Sequence, residues 1–344
     1  MAEMSYQTDV QAVALLQLPW EELRECNILI TGATGLIGSC LVEVLMARKE
    51  RDYKVFALGR NAKRMNSLFG KYANESGFHQ VLWDITQALT LEQPFHYIIH
   101  CASGAAPTEF ALHPVEVMKG NLLGVINLMD YGILHGLKRF LYVSSGEVYG
   151  EGDGRVFTED YSGYVNPMLP RSCYPSSKRA AETLCTSYSA EHGVDAVVAR
   201  PCHIYGPNFT ESDNRVYAQF IRNVLRGEDI VMKSTGEQFR SWCYVVDCAS
   251  ALLYILLKGK NGEAYNIADE DSNITIRELA EMVAGITNKK VIVSLPSDAE
   301  QRGFNKVTKS VFDTYKLNTL GWSPQHAMKD NLESTILTTR KQHI

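Results

Sequence analysis

Short apolar runs alternate with longer stretches of helical periodicity along the first two hundred residues. Asn27–Thr31 reads as a strand, tightens into glycines and continues as LIGSCLVEVLM with the spacing of a buried helix. YKVFALGR, HQVLWDIT and HYIIHCAS read as the next three strands, and PVEVMKGNLLGVINLMDYGILHG reads as a helix. KRFLYVSSGEVYG is a strand that ends in a loop, Tyr174 to about His192 a helix, and DAVVARPCHIYGP one strand running into a turn. Strands separated by helices predict a parallel sheet covered on both faces. The fold class is therefore α/β: a Rossmann-like doubly wound parallel sheet.

After about residue 205 the pattern changes. A polar loop, NFTESDNR, precedes an amphipathic helix near VYAQFIRNVL, and short strands and helices follow to LGWSP. The expected organisation is an N-terminal extension (1–26), a dinucleotide-binding domain with the catalytic residues (27–205), and a smaller α/β substrate-binding lobe (206–344). Some segments of that lobe are expected to return to the first domain. Such a lobe can wall a cleft at the carboxyl ends of the strands, where open α/β sheets bind ligands.

Composition narrows the partners. The 344 residues carry a net charge of -5 with Lys and Arg dispersed, so nothing draws the chain to nucleic acid or to an anionic membrane. The N-terminus has no basic leader and no long apolar stretch, so neither a signal peptide nor a membrane span is read there. Eight cysteines without a close CxxC pair suit buried thiols in a reducing compartment, and a cytoplasmic location is expected. No metal is expected, because Cys202 and His203 are neighbours that a strand would point to opposite sides.

The chemistry begins at the glycines. Gly32, Thr34, Gly35, Leu36, Ile37 and Gly38 form a loop between strand and helix, where backbone amides at a helix N-terminus can hold a pyrophosphate. Further along the same site, Ala102 follows the fourth strand, and Asp84 with Ile85 follows the third. Asp84 is placed either to contact the adenine end or to cap its turn. The second strand ends in Arg60 where a carboxylate would ordinarily accept the ribose hydroxyls of NAD, so NAD and NADP both stay open.

In RSCYPSSK, Tyr174 and Lys178 are one helical turn apart and share a face. An ammonium and an oxidised nicotinamide both favour phenolate, which lets the tyrosine take a hydroxyl proton while hydride leaves the same carbon. Ser145, at the end of LYVSS, can hold the same oxygen.

Through these motifs the chain resembles the extended short-chain dehydrogenase/reductase family of nucleotide-sugar epimerases, dehydratases and decarboxylases. The likeness runs from about Asn27 to Pro324, through TGATGLIG, KGNLLG, SSGEVYG, YPSSK, IYGP, GEQFRSWCYVVD and LGWSP. It implies a catalytic triad of Ser145, Tyr174 and Lys178, a supporting Asn121, NAD as cofactor, a nucleoside diphosphate sugar as substrate, and a homodimer formed through the helices holding Asn121 and Tyr174. It also implies substrate contacts from Arg240 and Arg302, and from His203, where relatives look to have asparagine.

Within the family the 29-residue interval from Ser145 to Tyr174 and the RSCYPSSKRAAET stretch look most like UDP-glucuronate decarboxylases. In that reading the sugar is oxidised at C4 and Glu147 handles the C5 proton. Two places depart from the decarboxylase pattern: Ser145 and Gly146, where those enzymes look to have Thr-Ser before the glutamate, and Phe110, where they look to have a tyrosine near the carboxylate; separately, dTDP-glucose dehydratases look to carry an aspartate where this chain has Gly146. A UDP-sugar 4-epimerase, a 4,6-dehydratase, an NADPH-dependent keto-sugar reductase and a dinucleotide-sensing regulatory module remain alternatives.

Overall fold

A computed structural model describes residues 5–211, 213–294 and 308–342. Its first sheet contains β1 (Cys26–Thr31), β2 (Tyr53–Gly59), β3 (Phe78–Leu82), β4 (Tyr97–His100), β5 (Arg139–Val143) and β6 (Ala196–Pro201). A seventh strand, Ala264–Ile267, comes from far along the chain, and the spatial order is β3-β2-β1-β4-β5-β6 followed by that strand, every pair parallel. The order reverses between β1 and β4, which opens the crevice in which such sheets bind ligands.

Strand alternation explains the two covered faces. Ile28 and Ile30 on β1, Leu141 and Val143 on β5, and Val197 and Ala199 on β6 point into one core. Leu29, Phe140 and Tyr142, and Ala196 and Val198 point into the other. The first face is covered by α1 (Tyr6–Ala14), α2 (Leu36–Ala47) and the helix Val245–Lys258; the second by α5 (Pro114–Leu134) and α6 (Cys173–His192). Two shorter helices lie between α2 and α5, namely α3 (Ala62–Phe69) and α4 (Pro107–Leu112).

α1 was not legible as a helix in the sequence. Ser5 caps it by accepting from the Thr8 amide, and its inner face is fixed by Tyr6 donating to Glu43 at 2.6 Å and by Tyr244 donating to Asp9 at 3.1 Å. The stretch DAVVARPCHIYGP also differs from its reading as one strand. It breaks at Cys202, whose amide donates to Ile267, and resumes as β7 (His203–Tyr205), which pairs with Trp242–Tyr244 in a second sheet. The chain thus crosses from one sheet to the other within a few residues. In that second sheet the central strand Phe239–Tyr244 also pairs with Asp269–Thr275 and with Lys309–Ser310.

Candidate active site

The glycine loop leaves β1 and enters α2. Gly32 has φ +65°, and a Cβ there would stand 2.7 Å from the Ala102 amide nitrogen and Cα, so only glycine lets the loop lie against the chain leaving β4. Gly35 is the N-cap of α2 and offers no side-chain cap, which leaves the first-turn amides of Leu36 and Ile37 for a ligand. Arg64 on α3 braces the loop, donating to the Thr34 carbonyl at 2.9 Å and to the Asn208 carbonyl at 2.7 Å. This cradle fits a dinucleotide pyrophosphate.

Toward the sheet edge, Asp84 accepts from the amide and hydroxyl of Thr86 at 3.0 and 2.9 Å, and these bonds hold its carboxyl below its ordinary range. Its other oxygen faces Arg60 at 3.5 Å, and the Arg60 side chain is 76% exposed. Ile85 is buried, and its carbonyl accepts from Asn127 on α5 at 2.8 Å.

α6 carries Tyr174 and Lys178 because Tyr174 falls in its first turn and Lys178 one turn later, both facing β5. Lys178 Nζ donates to the Val143 carbonyl at 2.9 Å and lies 4.7 Å from the centre of the Tyr142 ring and 5.8 Å from that of Tyr174. Burial brings its pKa down to about 8. The Tyr174 phenol is pushed up to about 12, first by burial and then by the negative charge of Glu147, while Ser145, Arg215 and Ser103 pull the other way. A phenol poised toward phenolate is therefore not what the protein alone supplies. An oxidised nicotinamide bound beside the phenol would favour phenolate.

Asn121 ties this corner together. Its Oδ1 accepts from Ser103 at 2.8 Å, and its Nδ2 donates to Ser177 Oγ at 2.9 Å, which in turn donates to the Cys173 carbonyl at 2.6 Å. The amide thereby locks the loop after β4 to the helix bearing Tyr174. Phe110 stacks on Tyr174 with ring centres 4.5 Å apart. Ser145 caps the turn Gly146–Tyr149 by accepting from the Glu147 amide at 3.2 Å. Glu147 accepts from Arg171 at 2.7 Å, and the Arg171 guanidinium lies 4.6 Å from the centre of the Phe110 ring.

From the second sheet, Arg240 Nη1 donates to His203 Nε2 at 2.7 Å. The imidazole is neutral, since burial and then the Arg240 charge lower its pKa to about 3. Its Nε2 is thus occupied by Arg240. Arg240 Nε is buried with no partner among the described residues, and the charge of Glu147 supports its guanidinium against burial. Arg302 lies outside the described residues.

The fold thus gathers Ser145, Glu147, Tyr174, Lys178, Asn121 and Phe110 at the ends of β4 and β5, with Arg240 and His203 facing them. Arg60, Asp84 and Ile85 line the far end of the cradle. Sequence reasoning missed Arg171, Ser103 and Arg215. Arg171 had a signal, standing three residues before Tyr174 in RSCY, whereas Arg215 reaches Tyr174 only through the folding of the second lobe. Among the described residues, no three of His, Cys, Asp and Glu gather as a metal site, and no helix is long and apolar enough to cross a membrane.

Residues 28–268 match the model of the NAD dependent epimerase/dehydratase family. UDP-glucuronic acid decarboxylase 5 of Arabidopsis thaliana is 34% identical over 310 residues, which cover 89% of this chain and 87% of the relative. UDP-glucuronic acid decarboxylase 1 of Xenopus tropicalis is 31% identical over 320 residues, covering 92% and 72%. Among solved structures, the UDP-glucose 4-epimerase of Thermotoga maritima with UDP-glucose superposes with a TM-score of 0.79 at 26% identity, over 92% of this chain and all of that one. Likeness of this extent, on a sheet whose glycine cradle fits a dinucleotide, means that the chain belongs to the NAD dependent epimerase/dehydratase family.

Proposed function

We propose that this NAD-dependent enzyme decarboxylates a UDP-hexuronate, with UDP-glucuronate as substrate. The observation that carries the reading is the guanidinium of Arg171, laid on Phe110 beside Tyr174 and already engaging a carboxylate, that of Glu147. Phe110 cannot donate the hydrogen bond that a hexuronate carboxylate wants, and an arginine fork can. The long likeness to two UDP-glucuronic acid decarboxylases supports the same reading.

When bound, NAD would accept the C4 hydride and return it to C4 after carbon dioxide has left, with Tyr174 giving its proton back to the C4 oxygen, so that carbon dioxide is the only net loss. Tyr174 takes the C4 hydroxyl proton, Ser145 holds that oxygen, and Lys178 fixes the tyrosine from beneath. The resulting 4-ketone is a β-keto acid. The C5–C6 bond breaks with its electron pair passing toward the ketone, carbon dioxide leaves, and Glu147 manages the proton that C5 regains. Arg240, braced by His203, is the candidate for the diphosphate, with Arg302 as a second. Arg60 shares its charge with Asp84, which favours NAD over a phosphorylated dinucleotide.

A 4-epimerase is the second reading, favoured by the superposition on the UDP-glucose 4-epimerase. It needs Tyr174, Lys178 and Ser145 and no proton transfer at C5. Incubating the protein and NAD with UDP-glucuronate, UDP-glucose, UDP-N-acetylglucosamine, dTDP-glucose and GDP-mannose, and following product mass, separates the readings. Loss of the mass of carbon dioxide from UDP-glucuronate is expected; an unchanged mass with altered retention marks epimerisation and overturns the proposal.

The functional unit in this reading is a homodimer built on α5 and α6, supported by the exposed Met118, Leu123, Ile133 and Leu134 along α5. A sedimentation mass of one chain would overturn it. The eight free cysteines support a reducing compartment, the cytoplasm.

A further inference from the structure

Gly146 sits between Ser145 and Glu147, at the start of the turn that both residues frame. A Cβ on it would lie 2.7 Å from Cε2 of Phe312 and closer still to Cζ. We propose that Phe312 is a specificity-determining residue: its ring fills the volume that any side chain at position 146 would need, and so keeps an acid out of the turn between Ser145 and Glu147. This rests on the reading that a sugar is oxidised and then altered at C5 and C6 here.

The ring has nowhere to withdraw. It is 2% exposed, meets Tyr149 edge-on at 5.5 Å between centres, and has Phe157 at 5.9 Å on another side. Tyr149 closes the same turn that begins at Gly146, so a ring pushed off Gly146 would press on the turn's other end. The backbone is pinned as well. The Phe312 amide donates to Ser241 Oγ at 3.0 Å, and the residues on either side of Phe312 bond to Phe157, its amide donating to Val311 at 2.7 Å and its carbonyl accepting from Asp313 at 2.9 Å. Interiors packed this way accept an added group only by displacing side chains or backbone.

The chemical consequence follows from what leaves. Once C4 is a ketone, expelling a C6 hydroxyl takes a proton from C5 to Glu147, breaks the C6–O bond, and needs a proton delivered to that oxygen so that water departs. Tyr174 already holds the C4 hydroxyl proton, so a third group must deliver this one, and position 146 is adjacent to Glu147 on the same turn. Carbon dioxide leaves a β-keto acid with no proton delivered to a leaving oxygen. Phe312 therefore closes the site to elimination while leaving decarboxylation and epimerisation untouched.

The test is a double-mutant cycle with a chemical readout. Gly146→Ala is expected to lower the melting temperature by several degrees with Phe312 intact and by clearly less in Phe312→Ala. Phe312→Val serves the same comparison if Phe312→Ala does not fold. With NAD and UDP-glucose or dTDP-glucose, Gly146→Asp combined with Phe312→Ala is expected to give product lighter by one water, and Gly146→Asp alone is not. Additive melting shifts, water loss from Gly146→Asp with Phe312 in place, or a folded double variant that expels no water would each overturn the proposal. The melting cycle uses no substrate, so wild-type protein that fails to decarboxylate UDP-glucuronate counts against the proposed function and not against this role of Phe312.

Discussion

Arg171 donates to Glu147 at 2.7 Å while its guanidinium covers the Phe110 ring, which stacks on Tyr174. One cation thus touches both the carboxylate beside the sugar site and the aromatic wall behind the tyrosine. Its side chain is 46% exposed, so the pair adds little to folding, and in the proposed function its weight falls on substrate binding. Arg171→Leu is expected to weaken binding of UDP-glucuronate by about tenfold, in line with loss of a charged hydrogen bond at a half-exposed site, and to leave UDP-glucose binding nearly unchanged. Calorimetric titration of both ligands checks this; equal losses for the two would mean that Arg171 does not read the carboxylate.

Glu147 also acts on Tyr174 through space, since its negative charge is the second cause holding the phenol near 12. Removing that charge in Glu147→Gln should lower the Tyr174 pKa and move the ascending limb of the rate of C4 oxidation to lower pH. Release of carbon dioxide should fall sharply in the same variant, while any epimerisation is spared. The pH profile of single-turnover NAD reduction is the measurement. A limb that stays in place removes Glu147 from the electrostatics of the tyrosine.

Tyr174→Phe keeps the stacking on Phe110 and the neighbourhood of Lys178 but has no proton to accept or give. Turnover should drop by roughly 10²–10⁴-fold, the usual contribution of a general base, with NAD still bound because the substitution leaves the backbone cradle from Gly32 to Gly38 intact. Fluorescence titration with NAD alongside the turnover assay tests both halves. Retained turnover would exclude the phenol from the mechanism.

The parts of the site that were legible in the sequence are those fixed by local backbone geometry. TGATGLIG announces a strand, a tight turn and a helix N-terminus, and Tyr174 and Lys178 announce a shared helical face. What escaped was set by contacts distant in sequence. Phe312 meets Gly146 across more than 160 residues, and Arg215 approaches Tyr174 only because the second lobe folds over the first. The phenol's pKa escaped for the same reason, because burial is a property of the packed molecule. α1 was missed because a nine-residue helix is marginal alone and owes its stability to Tyr6 and Asp9 reaching α2 and the strand bearing Tyr244.

Three buried groups contribute clearly to how stability changes with acid. His100 and His203 are held near 3 against an ordinary value of 6.5, each mainly by burial and then by a neighbouring cation, Lys178 or Arg240. Between those values the unfolded chain binds protons that the folded one refuses, so both histidines make stability fall as pH falls through 6.5 toward 3. Asp247 works oppositely. Burial raises it from 3.8 to about 7, so across that range the folded state keeps a proton the unfolded state has released, and acidification from pH 7 favours folding through this group. Asp247→Asn should therefore steepen the loss of stability between pH 7 and pH 5, and His203→Asn should flatten it. Urea midpoints for the two variants and wild type across that interval give the answer; parallel curves would mean that neither group changes its protonation on unfolding.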